Sequence, residues 1–94
     1  MLYLVTYDVP QEYPKLRNRI VNILKGWGLI RIQYSVFIGN LTKNNAEAVA
    51  LQITSVAKGL PMDVRIFRIC KNCIENSIIV SENPLIEKYD SVVF

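Results

Sequence analysis

Asp8 is the first residue equipped for chemistry. It ends the apolar run Leu2-Tyr3-Leu4-Val5-Thr6-Tyr7 and precedes Val9-Pro10. An acid at the end of a buried strand lies where a sheet edge opens to a cleft. Alone it is a poor ligand set for a hard cation. Two copies related by a two-fold axis could share one Mg²⁺, which takes oxygen ligands and keeps several waters. A cation held there lowers the pKa of a water and stabilises charge on a phosphodiester. The other reading makes Asp8 an acceptor of backbone hydrogen bonds in the turn before Pro10. The chain contains no His. This removes Ser-His and Cys-His nucleophile pairs, His-ligated metals and imidazole bases. Chemistry here runs on carboxylates, hydroxyls, thiols, amines or a metal.

A basic group follows: Lys15, Arg17, Arg19, Lys25 and Arg31, with no acid between residues 13 and 46. Arg presents a forked donor set that suits phosphate. The same residues would also make a solvated helix face. Lys15 and Arg19 share a face at i, i+4; Arg17 lies on another side, and Arg31 projects from the next strand. Gln33-Tyr34-Ser35 with Phe37 could hydrogen-bond nucleotides and stack a base, although Tyr34 and Phe37 read more simply as core or dimer contacts. Cys70 and Cys73 form C-x-x-C. Half of a zinc site, a redox pair and two structural thiols are the three readings. Zinc needs four ligands, which only two subunits together could supply. A redox pair belongs at a helix N-terminus, whereas this one follows an apolar strand. Reduced structural cysteines are therefore the expectation.

The elements that must position these residues follow from periodicity. The run to Tyr7 reads as a strand buried on both faces. Pro14 suits a first helical turn, and Leu16, Ile20, Ile23, Leu24 and Trp27 make one apolar stripe ended by Gly26 and Gly28. Residues 29–39 alternate as one long strand, or as two broken near Gln33-Tyr34-Ser35. Thr42 caps a second helix with the stripe Ala46, Val49, Ala50, Ile53, Val56, Ala57 and Leu60, stopped by Gly59 and Pro61. Met62 to Cys70 reads as a strand with Val64 and Ile66 on one face and Phe67 and Ile69 on the other. Ser77–Val80 reads as a further strand and Ser91–Phe94 as an added edge. Two helices cover one face of one sheet, giving an α+β two-layer domain. The bare face calls for a partner, and a two-fold homodimer is the simplest.

With 94 residues, 51% apolar and 20% charged, the chain is expected to be a single domain over 1–94, with a C-terminal extension at about 75–94. No apolar run approaches the roughly 20 residues of a membrane span. The N-terminus lacks a basic n-region and a cleavage site, so a cytoplasmic location is expected. The net charge of +3 divides into −2 over residues 1–12, +8 over 13–74 and −3 over 75–94. A basic middle suits a polyanion. There is no P-loop, G-x-G-x-x-G, zinc-protease or RNA-recognition-motif signature.

Together LYLVTYDV, KLRNRI and RIQYSVFIGNL, at these spacings, resemble the small CRISPR-associated adaptation protein family ("Cas two", the CRISPR-associated endoribonuclease family). The resemblance is close over residues 1–42 and looser to Cys70. It implies a ferredoxin-like β-α-β-β-α-β homodimer with the break near Tyr34. It also implies a metal-dependent endonuclease acting on single-stranded RNA or double-stranded DNA, or a non-catalytic bridge that works with the CRISPR integrase in spacer acquisition. By the same resemblance Asp8 is the catalytic residue and the Mg²⁺ ligand, while Arg17, Arg19, Arg31, Ser35 and Phe37 contact nucleic acid. The loop VPQEY departs from members that place a second acid soon after the aspartate; only Glu12 is available. A small-molecule sensor of ferredoxin-like fold would account for the architecture but not for the Arg group.

Overall fold

Strand β1 (Leu2–Asp8) forms where Leu, Tyr, Val and Thr follow one another without a charge, and it ends at Asp8 before Pro10. The computed structural model describes residues 1–81. After β1 come α1 (Pro14–Gly26), β2 (Ile30–Gln33), β3 (Val36–Asn40), α2 (Lys43–Ala57), β4 (Asp63–Ile69) and the short α3 (Lys71–Glu75). The strands lie in the order β2-β3-β1-β4, each antiparallel to its neighbour. This is the ferredoxin-like arrangement, with β1 central.

Alternation along β1 divides the interior in two. Tyr3, Val5 and Tyr7 join Phe37 under the helices, packed against Leu16, Ile20, Val21 and Leu24 of α1 and Ala46, Val49, Ile53 and Ala57 of α2. Leu2 and Leu4 point the other way, towards Ile32, Ile38, Val36, Ile69 and Ile74. Val21, outside the expected stripe of α1, is buried because a helix laid on a sheet covers a wider arc than one seam. Ala50 and Leu60, assigned to the α2 stripe, are exposed. Leu60 lies past the end of α2, beyond the left-handed residues Lys58 and Gly59.

Local chemistry fixes the ends. Thr42 caps α2 as expected, its hydroxyl accepting from the Asn45 N–H at 3.0 Å. Helix α1 closes with Gly28 at φ +83°, where Gly28 donates to the Lys25 carbonyl and Leu29 reaches back to the Leu24 carbonyl. Gly39 is required by packing: a Cβ there would stand 2.6 Å from Leu29 Cδ2. Residues 29–39 do split, with Tyr34 and Ser35 forming the turn and an irregular register between Arg31 and Gln33.

Two expectations fail. Ser77–Val80 is not a strand; it follows α3 without pairing to the described sheet, although β4 leaves one edge of that sheet open, and Ile78 and Val80 are almost fully exposed. The C-x-x-C does not simply end a strand, since Cys70 is the N-cap of α3. The expected edge strand at Ser91–Phe94 lies outside the described residues.

Candidate nucleic-acid interface

Tyr7, the last apolar residue of β1, locks the strand end to the β2–β3 turn. Its backbone N–H donates to the Ser35 carbonyl at 3.1 Å and its hydroxyl to the Tyr34 carbonyl at 2.8 Å. Arg31 in turn donates from Nη2 to the Tyr7 hydroxyl at 3.3 Å. The Arg31 guanidinium lies 5.2 Å from the Phe37 ring centre and 5.8 Å from that of Tyr34. Its Nε is buried with no hydrogen-bond partner among the described residues. A buried donor without a partner costs about 1–3 kcal/mol, and the two ring contacts, at about 0.5–1 kcal/mol each, are of comparable size.

Arg17 reaches the same end from α1. Its Nη2 donates to the carbonyls of Val9 at 3.2 Å and Pro10 at 3.5 Å, clamping the loop that follows Asp8. Most of its five N–H donors remain available. Two clefts meet at this residue. One is lined by Tyr7, Asp8, Val9, Gln11, Arg17, Tyr34 and Ser35. The other is lined by Arg17, Asn18, Val21, Asn22, Lys25, Arg31 and Tyr34. Arg17 and Tyr34 belong to both, so one polar channel runs from Asp8 to Arg31 and Lys25.

The Asp8 carboxylate is exposed, and no hydrogen bond or ion pair engages it among the described residues. The turn that follows is closed instead by the Tyr13 N–H donating to the Pro10 carbonyl at 3.0 Å. Asp8 lines this cleft together with Ser35 and Gln11, residues whose side chains carry the oxygen type that suits a hard, well-hydrated cation. One copy supplies a single carboxylate, Asp8, to this cleft among the described residues. Among the described residues no three His, Cys, Asp or Glu come together. Asp8 shares the sheet face of Leu2 and Leu4, which α1 and α2 leave open, so a second copy packed on that face could bring a second Asp8.

Glu12 is exposed and does not line the cleft. The nearer acid is one that sequence reasoning missed. Asp63 opens β4 directly across from Asp8, and residues so paired have Cβ atoms about 4.5–5.5 Å apart. Arg65 occupies it with a two-pronged contact, Nε to Oδ1 at 3.0 Å and Nη2 to Oδ2 at 3.2 Å. The hydrogen bond from Arg65, then its charge, hold the Asp63 carboxyl below its ordinary value. The antiparallel register was the missing signal.

Of the residues singled out from sequence, Asp8, Arg17, Arg31 and Ser35 converge on this channel. Arg19 is exposed on α1 and lines neither cleft. Phe37 requires correction: it is 0% exposed, faces Val5 across the ladder and sits under Arg31, so it offers no face to a base. The exposed aromatic at this end of the sheet is Tyr34, at 72%.

The family described as CRISPR associated protein Cas2 matches residues 1–77. The "CRISPR-associated endoribonuclease Cas2 1" of Methanospirillum hungatei is 32% identical over 91 residues, covering 96% of this chain and 94% of the relative. A longer relative from Thermoproteus tenax, the "CRISPR-associated endonuclease Cas1/endonuclease Cas2 fusion", is 29% identical over 89% of this chain and 31% of its own length. Among solved structures, Cas2 of Streptococcus pyogenes superposes with a TM-score of 0.69 at 26% identity, over 86% of this chain and all of the other. No described helix is long and apolar enough to cross a membrane.

Proposed function

Because the chain belongs to the CRISPR associated protein Cas2 family, we propose that it is a nucleic-acid-binding homodimer of CRISPR adaptation that cleaves phosphodiesters at its Asp8 edge with Mg²⁺. The observation that carries this is the unpaired Asp8 carboxylate in a channel shared with Arg17, Arg31 and Lys25. Arg17, Arg31 and Lys25 hold successive phosphates. Tyr34 offers its ring to a base, which its exposure permits and that of Phe37 does not. Ser35 supplies a hydroxyl beside the acid. The apolar face of Leu2, Leu4, Ile38 and Ile69, with Phe67 half exposed beside it, supports pairing of two copies. Asp8 from each copy would hold the cation, which when bound lowers the pKa of a water and neutralises phosphate charge. Fixing the strand end to its turn through Tyr7 keeps Asp8 and Ser35 in register without further ordering when substrate arrives.

A second reading, a scaffold that bridges DNA for the CRISPR integrase, draws on two observations. Asp63 is tied up by Arg65, leaving Asp8 as the unpaired acid of this cleft among the described residues. The T. tenax relative joins its Cas2 part to a Cas1 part in one chain. Incubation of the purified protein with single-stranded RNA and with duplex DNA, in Mg²⁺ and in EDTA, distinguishes the two. The enzyme reading expects Mg²⁺-dependent product from at least one substrate. Binding to both without product in either would leave the scaffold.

A further inference from the structure

At the other end of β1, two sulfurs meet at the corner between β4 and α3. Cys70 Sγ lies 2.8 Å from Cys73 Sγ and accepts the Cys73 backbone N–H at 3.3 Å. Both thiols are free and exposed. Exposure argues against a packing role for the pair, since cysteines kept for packing are buried and inert, although the Cys70 sulfur also caps α3. A zinc site is not built here either, because no third ligand of the His, Cys, Asp or Glu type joins them among the described residues. The cleft beside Cys70 is lined by Arg68 and by Lys71, which pairs with Glu75 at 3.6 Å.

We propose that Cys70 and Cys73 form a thiol–disulfide exchange site, with Cys70 the attacking sulfur and Cys73 the resolving one. The sulfur contact and the exposure of both free thiols carry this, not the terminus of α3, whose five residues make a negligible dipole. The oxidant is a disulfide, small-molecule or protein. The Cys70 thiolate attacks one sulfur of that disulfide, the S–S bond breaks, and one thiolate leaves with a mixed disulfide left on Cys70. The Cys73 thiolate then attacks Cys70 Sγ and expels the second thiolate. The protons of Cys70 and Cys73 end on the two released thiols, so two electrons pass from the pair to the oxidant. The hydrogen bond from the Cys73 thiol, and then the backbone N–H of Cys73, lower the Cys70 pKa, which fits the order of attack.

Oxidation has a structural consequence. Helix α3 carries Ile74, which packs on the Leu2, Ile32 and Ile38 cluster of the open sheet face. A bond between Cys70 and Cys73 fastens the first turn of α3 to the end of β4 and holds Ile74 against that cluster. None of the residues involved lines the Asp8 channel.

The test uses the full chain, reduced and then exposed to glutathione disulfide, acid-quenched, alkylated and weighed intact. The expected product is a monomer that has lost two hydrogens, takes up no alkyl group, and regains both thiols in excess glutathione. Cys73→Ser should stop at a persistent glutathione adduct on Cys70, and Cys70→Ser should react several-fold more slowly. Serine also caps helices, so both variants should keep the wild-type circular dichroism. A wild type that still takes up two alkyl groups, or that forms only linked dimers, would overturn the proposal. So would protection of the thiols by one Zn²⁺ per two chains without disulfide formation, and equal rates in the two variants would overturn the assignment of Cys70 as attacker.

Discussion

The two ends of β1 carry opposite chemistry. At the Asp8 end are hard oxygens, guanidinium groups and an exposed ring, held in register by Tyr7. At the Leu2 end are two soft sulfurs already in contact. The antiparallel pairing sorts them: β4 begins with Asp63 beside Asp8 and ends with Ile69 beside Leu2, just before Cys70. The ends differ in completeness as well. The thiols need only each other, whereas among the described residues no free acid lies across from Asp8, and the proposed site needs a second copy to supply one. Two sites on one strand can thus differ in whether the fold or the oligomer completes them.

Breaking the Asp8 end from beneath should have the largest effect on the fold. Phe37→Ala removes a fully buried ring and is expected to cost about 3–5 kcal/mol of stability, read from urea unfolding. It should also loosen Arg31. If the ends are independent, thiol exchange at Cys70 in the folded fraction stays at the wild-type rate.

Arg17 and Arg19 sharpen the assignment on the helix. Arg17→Ala should weaken binding to all sequences alike and lower the slope of log affinity against log salt by about 0.9 for duplex DNA. It should also destabilise the fold by about 1 kcal/mol, because the carbonyls of Val9 and Pro10 lose their donor. Arg19→Ala, outside the channel, should leave the slope near wild type. Equal slopes in both variants would return Arg17 to a merely structural clamp. Tyr34→Ala should cost about 1–3 kcal/mol in binding single strands and less than 0.5 kcal/mol in stability, since the side chain is a surface one.

The smallest effect concerns Asp63. Its carboxyl, held below the ordinary 3.8 by Arg65, should titrate by NMR with a lowered midpoint that rises towards that value in Arg65→Gln. A depressed folded-state pKa stabilises the fold above the ordinary value, and that contribution is lost as pH falls through the lowered one. For so exposed a pair the stability change should be close to undetectable.

The architecture was legible because it rests on periodicity. Two helical stripes, a break at Tyr34-Ser35 and the Thr42 cap follow from residue types at fixed spacing. Which side of a strand faces the helices was not, because a hairpin's irregular register cannot be counted from the sequence. The resemblance gives Phe37 a nucleic-acid role, and the ladder shows instead that Phe37 is buried and Tyr34 exposed. Asp63 stands 55 positions from Asp8 in the chain, and only the pairing of β1 with β4 makes them neighbours. Ser77–Val80 has the apolar, β-branched composition of a strand but no strand partner among the described residues, and composition alone does not supply one.

The central claim is that an unpaired Asp8, doubled across a dimer, cuts phosphodiesters. Its most direct test is the rate of Mg²⁺-dependent cleavage by Asp8→Asn beside the wild type, with affinity and unfolding measured on the same samples. Asparagine has the same shape, and Asp8 makes no hydrogen bond among the described residues for it to lose, so affinity and stability should hold. Cleavage should fall by orders of magnitude, since a hydrolytic centre without its cation loses several kcal/mol of transition-state stabilisation. Cleavage at the wild-type rate in Asp8→Asn would contradict the account.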